Sequence, residues 1–382
     1  MSTYSDLIPV NVLTGALGSG KTTLLKALLR TPRLDGTMVL VNELGEVGID
    51  HHLVEHASES TLLLENGCLC CAMRDDLKTA LKDLHSRRAR GEIPRYERVV
   101  VETTGIADPV PIAYTLLAEP VLQHHYRLGN VVTVVDAVNA AAQLDRFAES
   151  VKQVALADRL VVSKLDIAGP GALAALRPRL AKVNPDAPII TAEVPDLDPV
   201  ELLIADIHDR RSKSREIERW MRSTADAAAA HEDHHPHAEN INACCFTFDA
   251  VLDWTAFGVW MSMLLHRHGD RVLRMKGLLN VAGVPGPVLV NGVQHLVHPP
   301  AHLDRWPDED RSSRLVVISS GLDRDEIERS LHAFNALANP APAPAGRDLP
   351  STAPPPRARA RSPAGGGERF ATPPPSARPG SG

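Results

Sequence analysis

The sequence predicts an α/β fold: a doubly wound, mostly parallel sheet, then a second, smaller α+β unit, then a disordered tail. Three observations carry this. Short β-branched runs alternate with longer helical patterns through the first half of the chain. A glycine-rich turn separates the first run from the first helical pattern. From Ala338 onward the chain is Pro, Ala, Arg, Gly and Ser with almost no aliphatic residues.

The apolar runs are Pro9–Leu13, Met38–Val41, Val99–Val101, Val131–Val135, Leu160–Val162 and Ile189–Thr191. Between them Lys21–Arg30, Asp75–Arg90, Val138–Leu156 and Gly171–Val183 have helical composition. Runs this short and this apolar suit strands covered by helices on both faces. Residues 7–207 are therefore expected to form the first domain. Residues 208–241 are charged, alanine-rich and histidine-bearing, and read as a solvated linker. Residues 242–337 read as strand (Cys244–Phe248), helix (Thr255–His268), three strands (Val272–Val281, Val288–His298, Leu315–Ser319) and helix (Asp323–Leu337), with the helices against one face of the sheet. Residues 338–382 cannot bury a core.

Composition excludes several classes. The 382 residues are 44% hydrophobic and 23% charged, as in a globular protein. A net charge of −6 offers phosphates no global attraction, so nucleic acid is not an expected partner. No run of apolar residues is long enough to span a membrane. The N-terminus does not read as a signal peptide, so a cytoplasmic location with reduced thiols is expected. Five cysteines are too few for a disulfide framework, yet three of them are Cys68, Cys70 and Cys71.

Gly15, Ala16, Leu17, Gly18, Ser19, Gly20, Lys21 and Thr22, followed by Thr23, fit the phosphate-loop pattern G-x-x-x-x-G-K-[ST]. Backbone N–H groups of such a loop close on a β-phosphate, and the helix N-terminus adds its positive dipole end. Lys21 would bridge the β- and γ-phosphates and the Thr22 hydroxyl would ligate Mg²⁺. Arg98–Glu102 is an apolar strand ending in a carboxylate, so Glu102 is the expected partner of Mg²⁺, and Gly105 could offer its N–H to the γ-phosphate. Ser163, Lys164 and Asp166 vary the N-K-x-D guanine pattern. Asp166 would accept N1–H and the amino group of guanine, a donor pair that adenine lacks, which favours GTP over ATP. No glutamine follows Gly105 to orient water, so slow turnover is expected; Glu43, Glu46, Asp50 and Asp108 are candidates for that role.

Three thiols within four residues, after the turn-forming Gly67, suit a soft-ligand metal such as Zn²⁺. Inert buried cysteines and a redox role are the alternatives. Three ligands leave a fourth position open, which fits a transferable ion. His231, His234, His235 and His237 are auxiliary candidates, against a merely soluble spacer. Cys244 and Cys245 read as strand core. His295, His298 and His302 read as satisfied polar positions, with a partner-facing surface as the alternative.

The motifs TGALGSGKTTLL, NELGEVGID, ENGCLCC, VVVETTGIADP, VVDA and SKLD stand in one order, with MKGLLNVAG, GVQHLVHPP and WPDEDRSSRLVVI beyond them. Over residues 8–336 the chain resembles the CobW-like GTP-binding metallochaperones, P-loop GTPases of the CobW/HypB/UreG type with a CobW C-terminal domain. The resemblance implies a slow GTPase that carries Zn²⁺, Co²⁺ or a related ion on Cys68, Cys70 and Cys71, with Glu43 or a nearby histidine as a further ligand. It implies handover to a client metalloprotein docking near the second domain, with cobalt delivery for cobalamin synthesis and nitrile hydratase activation as alternatives. A homodimer, a P-loop small-molecule kinase and a passive metal buffer stay open.

Overall fold

The computed structural model describes residues 4–41, 61–63, 71–192, 197–209, 212–230 and 241–338. In the first half the elements are β1 (Ile8–Thr14), α1 (Lys21–Leu29), β2 (Thr37–Val41), β3 (Thr61–Leu63), α2 (Cys71–Arg90), β4 (Arg98–Glu102), α3 (Val110–Ala118), β5 (Tyr126–Asp136), α4 (Ala140–Arg146), α5 (Ala148–Leu156), β6 (Arg159–Ser163), α6 (Leu165–Ala168), α7 (Ala172–Val183) and β7 (Ile189–Thr191). The seven strands form one parallel sheet in the order β3-β2-β4-β1-β5-β6-β7. Connections change direction at β1, which puts the loops after β1, β4 and β5 at a switch point on the carboxyl edge.

Both faces are covered, as the unbroken apolar runs require. On β4, Val99 and Val101 pack with Leu77, Leu81 and Leu84 of α2. Val100, pointing the other way, packs with Leu24, Leu25 and Leu28 of α1. The expected helix over Val138–Leu156 is two helices, because Phe147 takes an extended conformation (φ −123°, ψ 113°) between α4 and α5.

A second sheet follows α8 (Lys213–Ala230). Its elements are β8 (Ile241–Phe248), α9 (Trp254–His268), β9 (Val272–Leu279), β10 (Val288–Val293), β11 (Leu296–Val297), β12 (Ala301–His302), β13 (Ser313–Ser320) and α10 (Arg324–Ala338). The order is β11-β10-β9-β13-β8, with β12 also on β10, and every ladder is antiparallel. Val288–His298, expected as one strand, folds back on itself: Gln294 adopts φ +50° and β11 pairs with β10.

Two expectations need correction here. Part of the expected solvated linker is helix α8, whose Ile217, Trp220 and Met221 are buried against Leu273, Leu278, Leu289, Val316 and Ile318. The second sheet is consequently covered on both faces: α9 and α10 supply Phe257, Trp260, Ile327 and Leu331 to the opposite one. The alanine-rich, charged composition of α8 hid a short apolar stripe of helical period.

Both sheets lie in one compact unit, Met1–Asn339. The contact between them is ionic as well as apolar. Arg274 of β9 pairs with Asp158, and Lys276 Nζ stands 3.4 Å from Asp186 Oδ2. Burial pushes the Lys276 amine down and the Asp186 carboxyl up. Tyr4, His208 and His298 form a second seam: the two imidazoles stack at 5.5 Å and Tyr4 Oη lies 3.1 Å from His298 Nδ1. The tail and the histidines at 231, 234, 235 and 237 lie outside the described residues.

Candidate functional site

The turn after β1 is shaped by backbone sterics. A Cβ on Gly15, where φ is +137°, would come within 2.2 Å of the Val134 carbonyl oxygen, so the loop presses directly on β5. Gly20 caps α1, and Lys21 opens it. Lys21 is buried, and its Nζ donates to the carbonyls of Gly15 at 2.9 Å and Ala16 at 3.1 Å. Burial lowers its pKa while the Glu102 carboxylate opposes the shift. The ammonium therefore spans the loop, held by two backbone oxygens.

Thr22 Oγ1 donates to Glu102 Oε1 at 2.5 Å. Glu102 is the last residue of β4, and the register Leu13↔Glu102 sets it beside the end of β1. Hydroxyl and carboxylate oxygens that meet at one point are the hard donors that Mg²⁺ takes. Beyond β4, Thr103 donates its N–H to the Leu13 carbonyl at 2.9 Å and its hydroxyl to Thr14 Oγ1 at 2.9 Å. Gly105 then packs so tightly on the phosphate loop that a Cβ would lie 2.3 Å from Leu17 N. The structure thus brings Lys21, Thr22, Glu102 and Gly105 together around one loop.

The SKLD segment leaves β6 at the same edge. Ser163 Oγ donates to the Ser19 carbonyl at 2.7 Å, which ties this segment to the phosphate loop. Lys164 adopts φ +60° and its Nζ donates to Asp136 Oδ2 at 2.8 Å. Burial pushes the Asp136 carboxyl up, but hydrogen bonds from Lys164, Asn139 and Val138 outweigh it and hold the group below the usual range. Asp166 is exposed in the first turn of α6.

Asp108, a candidate for orienting water, stands at the start of α3. Its Oδ1 accepts the Val110 N–H at 2.9 Å and its Oδ2 lies 3.4 Å from Lys152 Nζ, so it is occupied in fixing the start of α3. Glu43, Glu46 and Asp50 lie outside the described residues, as do Cys68 and Cys70. Cys71 is the first residue of α2. β3 ends at Leu63, and the pairs Leu63↔Val41 and Val41↔Glu102 set Leu63 in one row with Glu102. Two strand spacings, about 10 Å, separate the rows' ends.

Among the described residues, no group of three or more His, Cys, Asp or Glu is arranged to hold a metal. Cys244 is strand core, and burial pushes the neighbouring Cys245 thiol up to about 11, which leaves it protonated. His298 is buried against Tyr4, whereas His295 and His302 are exposed. Sequence reasoning missed Gln153, Lys152 and Thr103, which brace the segment after β4. Their partners lie far off in sequence, so no local spacing marks them.

Residues 9–191 match the CobW/HypB/UreG nucleotide-binding domain, and residues 241–335 match the cobalamin synthesis protein CobW C-terminal domain. The zinc chaperone YjiA of Escherichia coli strain K12 is 36% identical over 321 residues, covering 84% of this chain and 96% of that protein. The chain belongs to the CobW family. The zinc chaperone CobW of Pseudomonas aeruginosa is 30% identical over 368 residues, covering 87% and 92%. The crystal structure of Zn(II)-bound YjiA GTPase from E. coli superposes with a TM-score of 0.60 at 27% identity, covering 86% of this chain and 99% of that one. Both CobW segments carry their own sheet here, and Lys276 of the second makes the ion pair with Asp186 of the first. No helix among the described residues is long and apolar enough to cross a membrane.

Proposed function

We propose that this CobW-family protein is a GTP-hydrolysing metallochaperone that binds Zn²⁺ through Cys68, Cys70 and Cys71 and hands it to a client metalloprotein. The observation that carries the reading is the row Leu63–Val41–Glu102. It ends β3 two strands from the carboxylate of the phosphate site, and the cysteines follow β3 within a few residues of sequence. The names of the relatives, zinc chaperones that span nearly the whole chain, support zinc as the cargo.

In this reading Gly15–Thr23 cradle the triphosphate and Lys21 exchanges its two carbonyl partners for β- and γ-phosphate oxygens. Thr22 and Glu102 would hold Mg²⁺, which neutralises charge on the transferring phosphoryl group. Gly105 offers its N–H to the γ-phosphate. Ser163, Lys164 and Asp166 select guanine, with Lys164 fixed by Asp136. Intrinsic turnover is slow, because no glutamine follows Gly105 to orient water. Deprotonated Cys68, Cys70 and Cys71 take the ion with an affinity that rises with pH. The client docks near the second domain, hydrolysis relaxes the segments that contact the γ-phosphate, and the ion leaves by ligand exchange. Cobalt is the alternative cargo.

The test is anaerobic zinc stoichiometry and phosphate release in the full chain. Cys68→Ser, Cys70→Ser and Cys71→Ser together should remove tight zinc binding yet leave basal GTP turnover in place. ATP should be hydrolysed far more slowly than GTP. Unchanged zinc stoichiometry in the triple variant would overturn the cysteine assignment.

A further inference from the structure

Helix α5 turns two consecutive side chains onto the segment that follows β4. Gln153, 1% exposed, donates Nε2 to the Ala107 carbonyl at 3.0 Å and reaches the Gly105 carbonyl at 3.4 Å. Lys152 pairs with Asp108 in the same segment. Residues 103–109 have no helix or strand of their own, so their backbone groups need partners from elsewhere. A buried amide that meets two loop carbonyls satisfies both sides at once.

The helix is anchored in turn. Thr133 Oγ1 donates to the Gln153 carbonyl at 2.7 Å. Asn184 Nδ2 reaches the carbonyls of Val154 at 2.8 Å and Ala157 at 2.9 Å, near the end of α5. Arg274, from the second sheet, donates to the Leu156 carbonyl and pairs with Asp158. The C-terminal half of one short helix therefore touches the turn behind the phosphate loop through Lys152 and Gln153 and the C-terminal domain through Leu156.

We propose that Gln153 is a positioning residue for GTP hydrolysis: it fixes the Gly105–Asp108 turn so that the Gly105 N–H faces the γ-phosphate, and Arg274 ties that turn to the second domain through α5. The inference rests on the GTPase reading above. Gln153 acts through the turn rather than on the nucleotide. Since only GTP has a γ-phosphate, the loss should fall on GTP and spare GDP.

The experiment uses the full chain with Gln153→Leu, Arg274→Lys and the double variant. GDP affinity, affinity for a non-hydrolysable GTP analogue, kcat, KM and thermal stability are measured for each. Gln153→Leu should lower kcat by about 10- to 100-fold, as small misplacements in active sites do. It should weaken the analogue and leave GDP affinity unchanged. Arg274→Lys should lower kcat less, and the double variant should match Gln153→Leu alone, since both changes act on one element. Equal kcat in Gln153→Leu and wild type, or equal weakening of GDP and analogue, would overturn the assignment of Gln153. Effects that multiply in the double variant would overturn the link through Arg274. Hydrogen exchange of the wild-type protein gives a readout independent of variant folding: the Ala107 amide, which donates to the Thr104 carbonyl at 3.2 Å, should exchange slowly in the GDP form, and exchange at solvent rates contradicts a fixed turn. Absence of GDP binding in the wild type would instead defeat the GTPase reading itself.

Discussion

Thr22 Oγ1 donates to Glu102 Oε1 at 2.5 Å, a contact between residues 80 positions apart. It joins the first turn of α1 to the last residue of β4, the geometry in which a hydroxyl and a carboxylate share one cation. Thr22→Val and Glu102→Gln should each lower GTP turnover by on the order of 100-fold, the scale of losing one preorganised electrostatic group. Both should also raise the magnesium concentration needed for half-maximal rate. Lys21→Ala should abolish turnover. Phosphate release at saturating GTP across a magnesium series checks all three, and full activity in Lys21→Ala would remove the phosphate-loop assignment.

Gly105 is a steric prediction as well as a functional one. A methyl group there would press on Leu17 N and Cα, at 2.3 and 2.4 Å, and backbone does not yield as a flexible side chain does. Gly105→Ala should cost about 1–3 kcal/mol of stability, the usual range for overpacking. It should also displace the phosphate loop and slow hydrolysis. Urea denaturation with and without GDP separates the two effects, because GDP should rescue less stability in the variant than in wild type.

The buried seam between the sheets predicts acid sensitivity. Burial, reinforced by Arg127 for His208 and by His208 for His298, pushes each imidazole down from 6.5 to about 3. Above 6.5 both are neutral in the folded and the unfolded chain, and stability is full. As the pH falls from 6.5 toward 3, the unfolded chain takes up protons that the folded one refuses, so stability is lost. One pH unit below 6.5 the loss is about 1.4 kcal/mol per histidine, about 3 kcal/mol for the pair. Urea midpoints at pH near 7.5 and about 5.5 measure it. The difference should shrink in His298→Gln, and an equal loss in that variant would contradict this origin.

Much of the first domain was legible because its chemistry is local. The glycine pattern 15–22, the carboxylate closing Arg98–Glu102 and the SKLD segment each lie within a few residues, and the strands between them are short and apolar. Topology alone then carries these to one edge of the sheet. What stayed hidden depends on distant partners. Trp220 looks like one aromatic in a charged, alanine-rich stretch until it meets Leu273 and Ile318 on the second sheet. Ser163 departs from the guanine pattern, yet its hydroxyl reaches the Ser19 carbonyl across 144 residues. Asp108 looks like a free acid until its bonds to Val110 and Lys152 are seen. The turn at Gln294 was lost because Val288–His298 keeps an apolar character through it.

Coupling between nucleotide state and metal affinity is measured by zinc affinity in each nucleotide state. Full-length protein is loaded anaerobically with GDP or with a non-hydrolysable GTP analogue, and zinc is titrated against a chelator of known affinity. A coupled site should show a clear difference between the two forms, one that vanishes in the Cys68→Ser, Cys70→Ser, Cys71→Ser variant. Equal affinities in the two forms would mean no coupling free energy between the sites. The chain would then be a metal buffer rather than a nucleotide-driven chaperone.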